Sequence, residues 1–269
     1  MRPITIAFAA LALGIAAPAF AQAAPDAAMQ GALAQDNRAD DRARDEWRHP
    51  AETLEFFRVE PGMTVVDYMP AGGWYTRVLV PYLGSAGRYV GIMPDPANAD
   101  VEGMAGYFAK LPAAFAKDSP GWNLAGAPVA AYASQDVPEA LKGTVDRALI
   151  FREMHNLYRS GALRAELMRL RELLKDDGML GIVQHRAKPW AAGDYTDGSR
   201  GYMRQSDVIG LVEAAGFELV GTSEVNANAK DSADHPKGVW ELPPSRSTNR
   251  PELDAVGESD RMTLLFRKR

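Results

Sequence analysis

The chain has 269 residues, of which 24% are charged. Its formal net charge is −5, and it contains no cysteine. This length fits one large α/β domain with a sizeable core. The mild acidity, with no basic cluster before the final residues 267–269, argues against nucleic acid as a partner. Without cysteine, disulfides, thiolate catalysis and zinc–thiolate sites are excluded.

Residues 1–21 have the pattern of a secretory signal peptide. Arg2 precedes an apolar run from Ile4 to Ala17, and Ala19-Phe20-Ala21 then provides small residues on either side of a larger one. This order of basic, apolar and small-residue regions is typical of a cleaved export signal. The run is short for a membrane span of ~20 residues, and Pro18 closes it. We expect cleavage after Ala21, export to the periplasm, and no membrane span in the mature protein.

Residues 22–47 are rich in Ala, Gln, Asp and Arg, which predicts a tether that runs into a surface helix. The run 38–46 mixes charges of both signs, a pattern that favours a solvated helical face over a site. A single domain is predicted for residues 48–269, because neither a repeat nor a second change of composition occurs in that range.

Strand and helix patterns alternate through this domain. The clearest helix carries Leu163, Leu167, Leu170 and Leu174 on one face, with Gly178 as its predicted end. A later helix is predicted to have Ser206 as its N-cap and Gly216 as its stop. The predicted strands are 64–69, 89–93, 129–133, 148–151, 179–183, 217–225 and 262–266, and the other helices are 74–83 and about 101–115.

This alternation implies a parallel sheet that is covered by helices on both faces. The last two strands have no helix between them, so they can pair antiparallel. The predicted fold class is α/β, a Rossmann-like, doubly wound and mostly parallel sheet with an antiparallel edge strand.

Several segments carry a resemblance to a known family. VVDYMPAGGWYT (65–76), a helix and then RYVGI (88–92) resemble the first two cofactor motifs of class I S-adenosylmethionine-dependent methyltransferases. VDRALIFREMHN (145–156), LKDDGMLGIVQHR (174–186) and QSDVIGLVEAAGFELV (205–220) resemble the later units of that fold. HNLYRSG (155–161), QHRA (184–187), KDSADHPKGVWELPP (230–244) and GESDRMTL (257–264) resemble bacterial proteins regarded as methyltransferases, many with export signals. The resemblance covers residues 48–269 and implies S-adenosyl-L-methionine as cofactor.

The resemblance places the cofactor at the turn after the first strand, where glycines let the backbone approach a ligand. The usual pattern there is acid-x-Gly-x-Gly-x-Gly, with Asp67 as the acid and Gly73 as the third glycine. Met69 and Ala71 stand at the first two glycine positions. An acid usually follows the second strand and binds the ribose, but Met93 stands there. The cofactor-binding residues implied are Asp67, Ala71, Gly72, Gly73, Asp95 and Asp136.

Ligands bind at the carboxyl ends of parallel strands in such folds, and unusual polar residues follow the fourth and fifth strands. The segment 226–260 is longer than its connection requires and predicts a lid. In a methyl transfer, His155 is our first choice as general base and His185 our second. Arg152, Arg159 and Lys230 would hold an anionic small-molecule acceptor.

Each of these residues also has a structural interpretation, since a histidine can be satisfied by backbone and an arginine by a lid acid. Two alternatives to the methyltransferase stay open. One is an exported, non-catalytic ligand-binding protein that retains the fold, which the missing glycines favour. The other is a metal-assisted enzyme that uses His155, His185 and His235 with Asp231, although no HxH or HExxH spacing occurs.

Overall fold

The computed structural model describes residues 26–269, so the predicted signal peptide and its cleavage site lie outside the described residues. These residues form one seven-stranded sheet with helices on both faces. The strands are β1 Thr64–Tyr68, β2 Arg88–Met93, β3 Val129–Ala133, β4 Val145–Phe151, β5 Leu174–His185, β6 Phe217–Ser223 and β7 Arg261–Lys268. The helices are α1 Ala27–Leu33, α2 Asp45–Arg48, α3 Pro50–Phe56, α4 Thr76–Leu83, α5 Glu102–Phe108, α6 Leu111–Asp118, α7 Met154–Ser160, α8 Leu163–Leu173 and α9 Gln205–Ala214. No helix within the described range is long and apolar enough to cross a lipid bilayer.

The strand order is β3-β2-β1-β4-β5-β7-β6. The pairs among the first five strands are parallel, whereas β7 is antiparallel to both β5 and β6. The predicted Rossmann-like, doubly wound sheet with antiparallel pairing at one edge is therefore confirmed. The outermost strand is β6, and β7 lies between it and β5.

Two apolar clusters cover the two faces of the sheet. Alternate residues of a strand point to opposite faces, so Val66 and Tyr68 join one cluster while Val65 joins the other. The predicted leucine stripe of α8 packs into the first cluster. Burial on both faces fixes the strands, and it brings the carboxyl ends of β1 and β4 together at one edge.

Two predicted helix ends are wrong. Helix α8 ends at Leu173, and Leu174 is buried as a strand residue that pairs with Val145, so Gly178 lies within β5. Helix α9 begins one residue before Ser206, and the hydroxyl of Ser206 bonds to the Asp207 carboxylate rather than to the backbone. The apolar pattern located both helices. Leu174 continues the helical spacing but belongs to β5, and Ser206 lies within the first turn of α9 rather than before it.

The predicted tether is packed against the domain from residue 26 onward. Met29 and Ala32 of α1 are buried in the cluster that also contains α4. Within the run expected to be solvated, Arg38 is 0% exposed, pairs with Asp45 at 2.6 Å and lies over the Trp74 ring. Arg38 is therefore neutralised by an acid of the same run, whereas Asp41 pairs with Arg77 and Arg44 pairs with Glu258, both distant in the chain.

Candidate functional site

The turn after β1 has a backbone that glycine usually provides. Met69 and Ala71 have φ angles of 55° and 48°, and Gly73 has 73°. All three positions of the glycine pattern are therefore left-handed, although two hold residues with a Cβ. Such a conformation costs roughly 1–2 kcal/mol for each non-glycine residue. The turn thus keeps the backbone path of the motif without two of its glycines.

A cavity of about 250 Å³ opens over this turn. Among the hydrogen bonds of residues 26–269, none uses the N–H of Ala71 or Gly72 as donor. A Cβ on Gly72 would meet no atom within 4 Å. The lining comes from the turn, from α4 and its approach, from the end of β4 and from the N-terminal segment: Met69, Pro70, Ala71, Gly72, Trp74, Tyr75, Arg77, Phe151, Arg152, Glu153, Asp41, Arg44 and Arg48.

Gly73 and Asp67 lie beneath the turn rather than in this cavity. A Cβ on Gly73 would lie 2.6 Å from the Trp122 ring, so this glycine admits a neighbouring side chain and not a ligand. The Asp67 carboxylate accepts a 2.8 Å hydrogen bond from the Tyr89 hydroxyl, and burial raises the pKa of Asp67 to about 6. Both residues therefore stabilise the turn and do not line the cavity.

The other two acids implied by the resemblance also lie away from the cavity. The Asp95 carboxylate accepts from the backbone N–H of Ala97 at 2.9 Å, which caps a short 3₁₀ turn. Asp136 is exposed beyond the end of β3. Of the six predicted cofactor residues, the cavity is lined by Ala71 and Gly72 alone.

A second cavity, of about 460 Å³, lies on the other side of Arg152. It brings together four of the five predicted catalytic residues: Arg152, His155, Arg159 and His185. The imidazole rings of His155 and His185 are 5.8 Å apart, and the Trp240 ring is 5.9 Å from that of His155. The remaining lining is Gly103, Met104, Tyr107, Glu153 and Asn156.

Both histidines are neutral at neutral pH, because His155 is buried and His185 is partly buried beside other positive groups. Burial lowers the pKa of His155 to about 4, and Nε2 of Gln184 lies 3.5 Å from its Nδ1. Burial, with His155 and arginines nearby, lowers the pKa of His185 well below its ordinary value. Nδ1 of His185 and Oγ of Ser259 share a 2.5 Å hydrogen bond.

Glu153, which was not predicted from the sequence, lines both cavities. Burial raises the pKa of Glu153 to about 7, and its Oε2 accepts a 2.7 Å hydrogen bond from the amide of Asn156. Its position in the sequence could have identified Glu153 as a site residue, because it is an acid between Arg152 and His155 that follows a buried strand. A carboxylate that titrates near neutral pH in a cavity is a candidate general base.

Arg152 stands where the cavities meet. It has a φ angle of 64°, and its Nη1 is buried without a hydrogen-bond partner. Besides the two cavities described, it lines a third, of about 140 Å³. Strained residues held in place by their surroundings are concentrated at functional sites. The other residues around the third cavity are Arg44, Arg48, His185, Val239, Trp240, Pro243, Pro244, Ser245, Glu258 and Ser259.

The segment 226–260 covers this edge of the sheet, but the residues predicted to act from it do not reach the cavities. Asp231 is buried, accepts from the Tyr202 hydroxyl and the Asp260 N–H, both at 2.8 Å, and pairs with Nε2 of His235 at 2.9 Å. These contacts hold the segment to the domain. Lys230, the fifth predicted catalytic residue, is exposed and lines none of the three cavities.

Two further groups beside the site are Arg186 and the residues of the metal-assisted alternative. Arg186 pairs with Glu224 at 2.7 Å and with Asp260 at 3.0 Å, so its charge is balanced within the fold. Within residues 26–269 no three His, Asp or Glu side chains converge as a set that could hold a metal ion. His235, which the metal-assisted alternative needs, is engaged with Asp231.

No protein-family model matches the sequence, and no curated protein matches it with statistical significance. Solved structures do. A S-adenosylmethionine-dependent methyltransferase from Aquifex aeolicus is similar with a TM-score of 0.50 at 20% identity, over 70% of this chain and 90% of that one. The partner of the Trm112 methyltransferase activator from Haloferax volcanii gives 0.51 at 12% identity, over 91% and 99% of the two chains. The cyclase SpnF gives 0.50 at 15% identity, over 87% and 84%. At these identities the likeness concerns the fold, which is that of the class I S-adenosylmethionine-dependent methyltransferases.

Proposed function

We propose that this protein is a S-adenosylmethionine-dependent methyltransferase that acts on a small anionic molecule. The observation that carries the proposal is the left-handed turn at Met69 and Ala71. It keeps the backbone of the cofactor motif at the carboxyl end of β1 and opens into a cavity. The class I fold shared with the Aquifex aeolicus methyltransferase supports it.

The chemistry of the first cavity fits the cofactor. Ala71 and Gly72, whose backbone N–H groups make no hydrogen bond within residues 26–269, line this cavity together with Arg48 and Arg152. Such donors suit the carboxylate of the cofactor's amino-acid end. The first and second cavities adjoin at Arg152 and Glu153, and together they reach the ~300–1,000 Å³ typical of small-molecule sites. When bound, S-adenosyl-L-methionine supplies an activated methyl group.

In this proposal Glu153 is the general base, in place of His155. A base works best when its pKa is close to the operating pH, and the pKa of Glu153 is about 7 whereas that of His155 is about 4. The neutral His155 and His185 then orient a polar acceptor by hydrogen bonds. Arg152 and Arg159, at the same cavity, balance the acceptor's negative charge.

Calorimetric titration with S-adenosylhomocysteine tests the cofactor. Gly72→Leu should weaken binding at least tenfold, because the added side chain enters the open space over the turn. Gly106→Leu is the matched control, since a Cβ there also meets no atom within 4 Å and Gly106 lines none of the three cavities. Gly73→Val is unsuitable, because it would collide with Trp122 and disturb the fold. If neither S-adenosylhomocysteine nor S-adenosyl-L-methionine gives heat at millimolar concentration, the proposal fails and a non-catalytic binding protein takes its place.

We also propose that the protein is exported to the periplasm. The basic, apolar and small-residue pattern of residues 1–21 supports this. N-terminal sequencing of periplasmic and cytoplasmic fractions should find a mature chain that starts at Gln22 in the periplasm. Full-length protein that keeps Met1 in the cytoplasm would contradict it.

A further inference from the structure

Positive charge around the third cavity exceeds the negative charge that could balance it. Glu258 is the shared partner of Arg44, Arg48 and Arg261, at 2.6, 3.2 and 3.1 Å. Arg152 forms no ion pair with any residue in 26–269. Three guanidinium groups therefore share one ionised carboxylate at the wall of the cavity, and the guanidinium of Arg152 has no carboxylate partner.

The other carboxylates nearby do not remove this excess. Asp41, Asp45 and Asp260 are paired with arginines outside the group, namely Arg77, Arg38 and Arg186. Glu153 lies next to Arg152 in sequence, but burial raises its pKa to about 7, so it is ionised in only part of the molecules at neutral pH. An unpaired buried charge is costly unless a counter-charge reaches it.

Two of these arginines also have nitrogens without a hydrogen-bond partner. Nη1 of Arg48 and Nη1 of Arg152 are both buried and unbonded within the described residues, and Arg48 as a whole is 3% exposed. Both side chains line the first and third cavities. Guanidinium donors bind the oxygens of carboxylates and phosphates in fixed geometry.

The group is held in place before any ligand binds. The guanidinium of Arg48 lies 4.7 Å from the centre of the Trp74 ring, and its Nε is fixed on Glu258. The backbone of Arg152 is fixed by an N–H bond of 2.7 Å to Val183 at the end of β5. At about 140 Å³, the third cavity has room for a compact group such as a carboxylate or a phosphate, beside the hydroxyl-bearing Ser245 and Ser259.

We propose that Arg48 and Arg152 form an oxyanion subsite that takes a carboxylate or phosphate group of a ligand lying in the adjoining cavities. This inference rests on the proposed methyltransferase function only in naming the molecule that carries the carboxylate or phosphate group. It belongs either to the amino-acid end of the cofactor or to the acidic end of the methyl acceptor.

The experiment uses sodium phosphate and sodium acetate as probes, in calorimetry and in thermal melting, with sodium chloride at equal ionic strength as reference. Wild-type protein should bind at least one probe saturably and melt at a higher temperature with it. Arg48→Gln and Arg152→Gln should each weaken this binding at least tenfold. Arg38→Gln is the matched control, because Arg38 is equally buried and lies over the same Trp74 ring, but pairs with Asp45 and lines none of the three cavities.

Three outcomes decide the proposal. Binding that falls in the two glutamine variants and persists in Arg38→Gln supports it, whichever probe binds. Phosphate and acetate that act no differently from chloride overturn it, and so does unchanged affinity in both glutamine variants. Competition then identifies the source, since displacement of the probe by S-adenosylhomocysteine assigns the subsite to the cofactor and joint binding assigns it to the acceptor. If the probe binds but S-adenosylhomocysteine does not, the subsite stands while the proposed methyltransferase falls.

Discussion

Replacing Ala71 by glycine should stabilise the protein. Ala71 is exposed and has a φ angle of 48°, so the substitution removes a strained Cβ without leaving a cavity. Relief of a left-handed conformation is worth roughly 1–2 kcal/mol. The greater freedom of glycine in the unfolded chain costs about 0.4–1 kcal/mol. We expect a net gain of about 0.5–1 kcal/mol in the free energy of unfolding.

Thermal melting can resolve a change of this size. For a chain of this length, 1 kcal/mol corresponds to roughly 2–4 °C in Tm, so Ala71→Gly should raise Tm by about 1–4 °C. Ala114→Gly is the matched control, because Ala114 is also exposed but lies within the right-handed helix α6. There the same substitution should lower the free energy of unfolding by about 1 kcal/mol.

The two substitutions are therefore expected to change Tm in opposite directions. A systematic error in the melting measurement would shift both values in the same direction and could not produce this result. If Ala71→Gly lowers Tm as much as Ala114→Gly does, the turn is not left-handed at this position and the argument for a retained cofactor motif fails. Affinity for S-adenosylhomocysteine should be kept or improved in Ala71→Gly, since the backbone it requires becomes less strained.

Three further predictions follow from buried titratable groups. Methyl transfer should rise with pH through about 7 as Glu153 loses its proton, and Glu153→Gln should remove that limb and reduce turnover by ~10²–10⁴-fold in a pH–rate profile. Although burial opposes it, Arg261, Arg48 and Arg44 lower the pKa of Glu258 to about 2, so Glu258→Gln should cost about 3 kcal/mol at pH 7. In urea unfolding this deficit should shrink as pH falls below about 4.5 toward 2, and a constant deficit would contradict the ion pairing. The hydrogen bond to Asp231 raises the pKa of His235, so His235→Gln should lower Tm more at pH 6 than at pH 8.5.

Sequence patterns predicted the parts of this molecule that depend on neighbours in the chain. Strands such as β4 are apolar on both faces because both faces are buried, so the pattern reports their place directly. Residues at the carboxyl ends of such strands, including Arg152 and His185, could therefore be assigned to one edge of the sheet. The turn at Met69 and Ala71 was located by its resemblance to a motif, although its left-handed backbone was not foreseen.

The rest of the site depends on contacts between distant positions. Arg44 and Arg48 reach Glu258 across 214 and 210 residues, and no local pattern in a mixed-charge run reveals such partners. The exposed position of Lys230 could not be predicted for the same reason, because the path of the segment 226–260 depends on the burial of Asp231 and not on the length of the segment. Glu153 could have been found, since it shares the sequence position that identified its neighbours Arg152 and His155.

Unfavourable features of two kinds, strained backbone and unbonded guanidinium nitrogens, meet at one edge of the sheet, and this combination argues for a working site. Met69, Ala71 and Arg152 are left-handed without being glycine, and they follow the neighbouring strands β1 and β4. Beside them lie the unpartnered nitrogens of Arg48 and Arg152. A fold that served no ligand could relieve each of these costs by a single substitution, to glycine at Ala71 or to an uncharged residue at Arg48. Strain and unpaired charge at the carboxyl ends of parallel strands are instead what a preorganised ligand site requires.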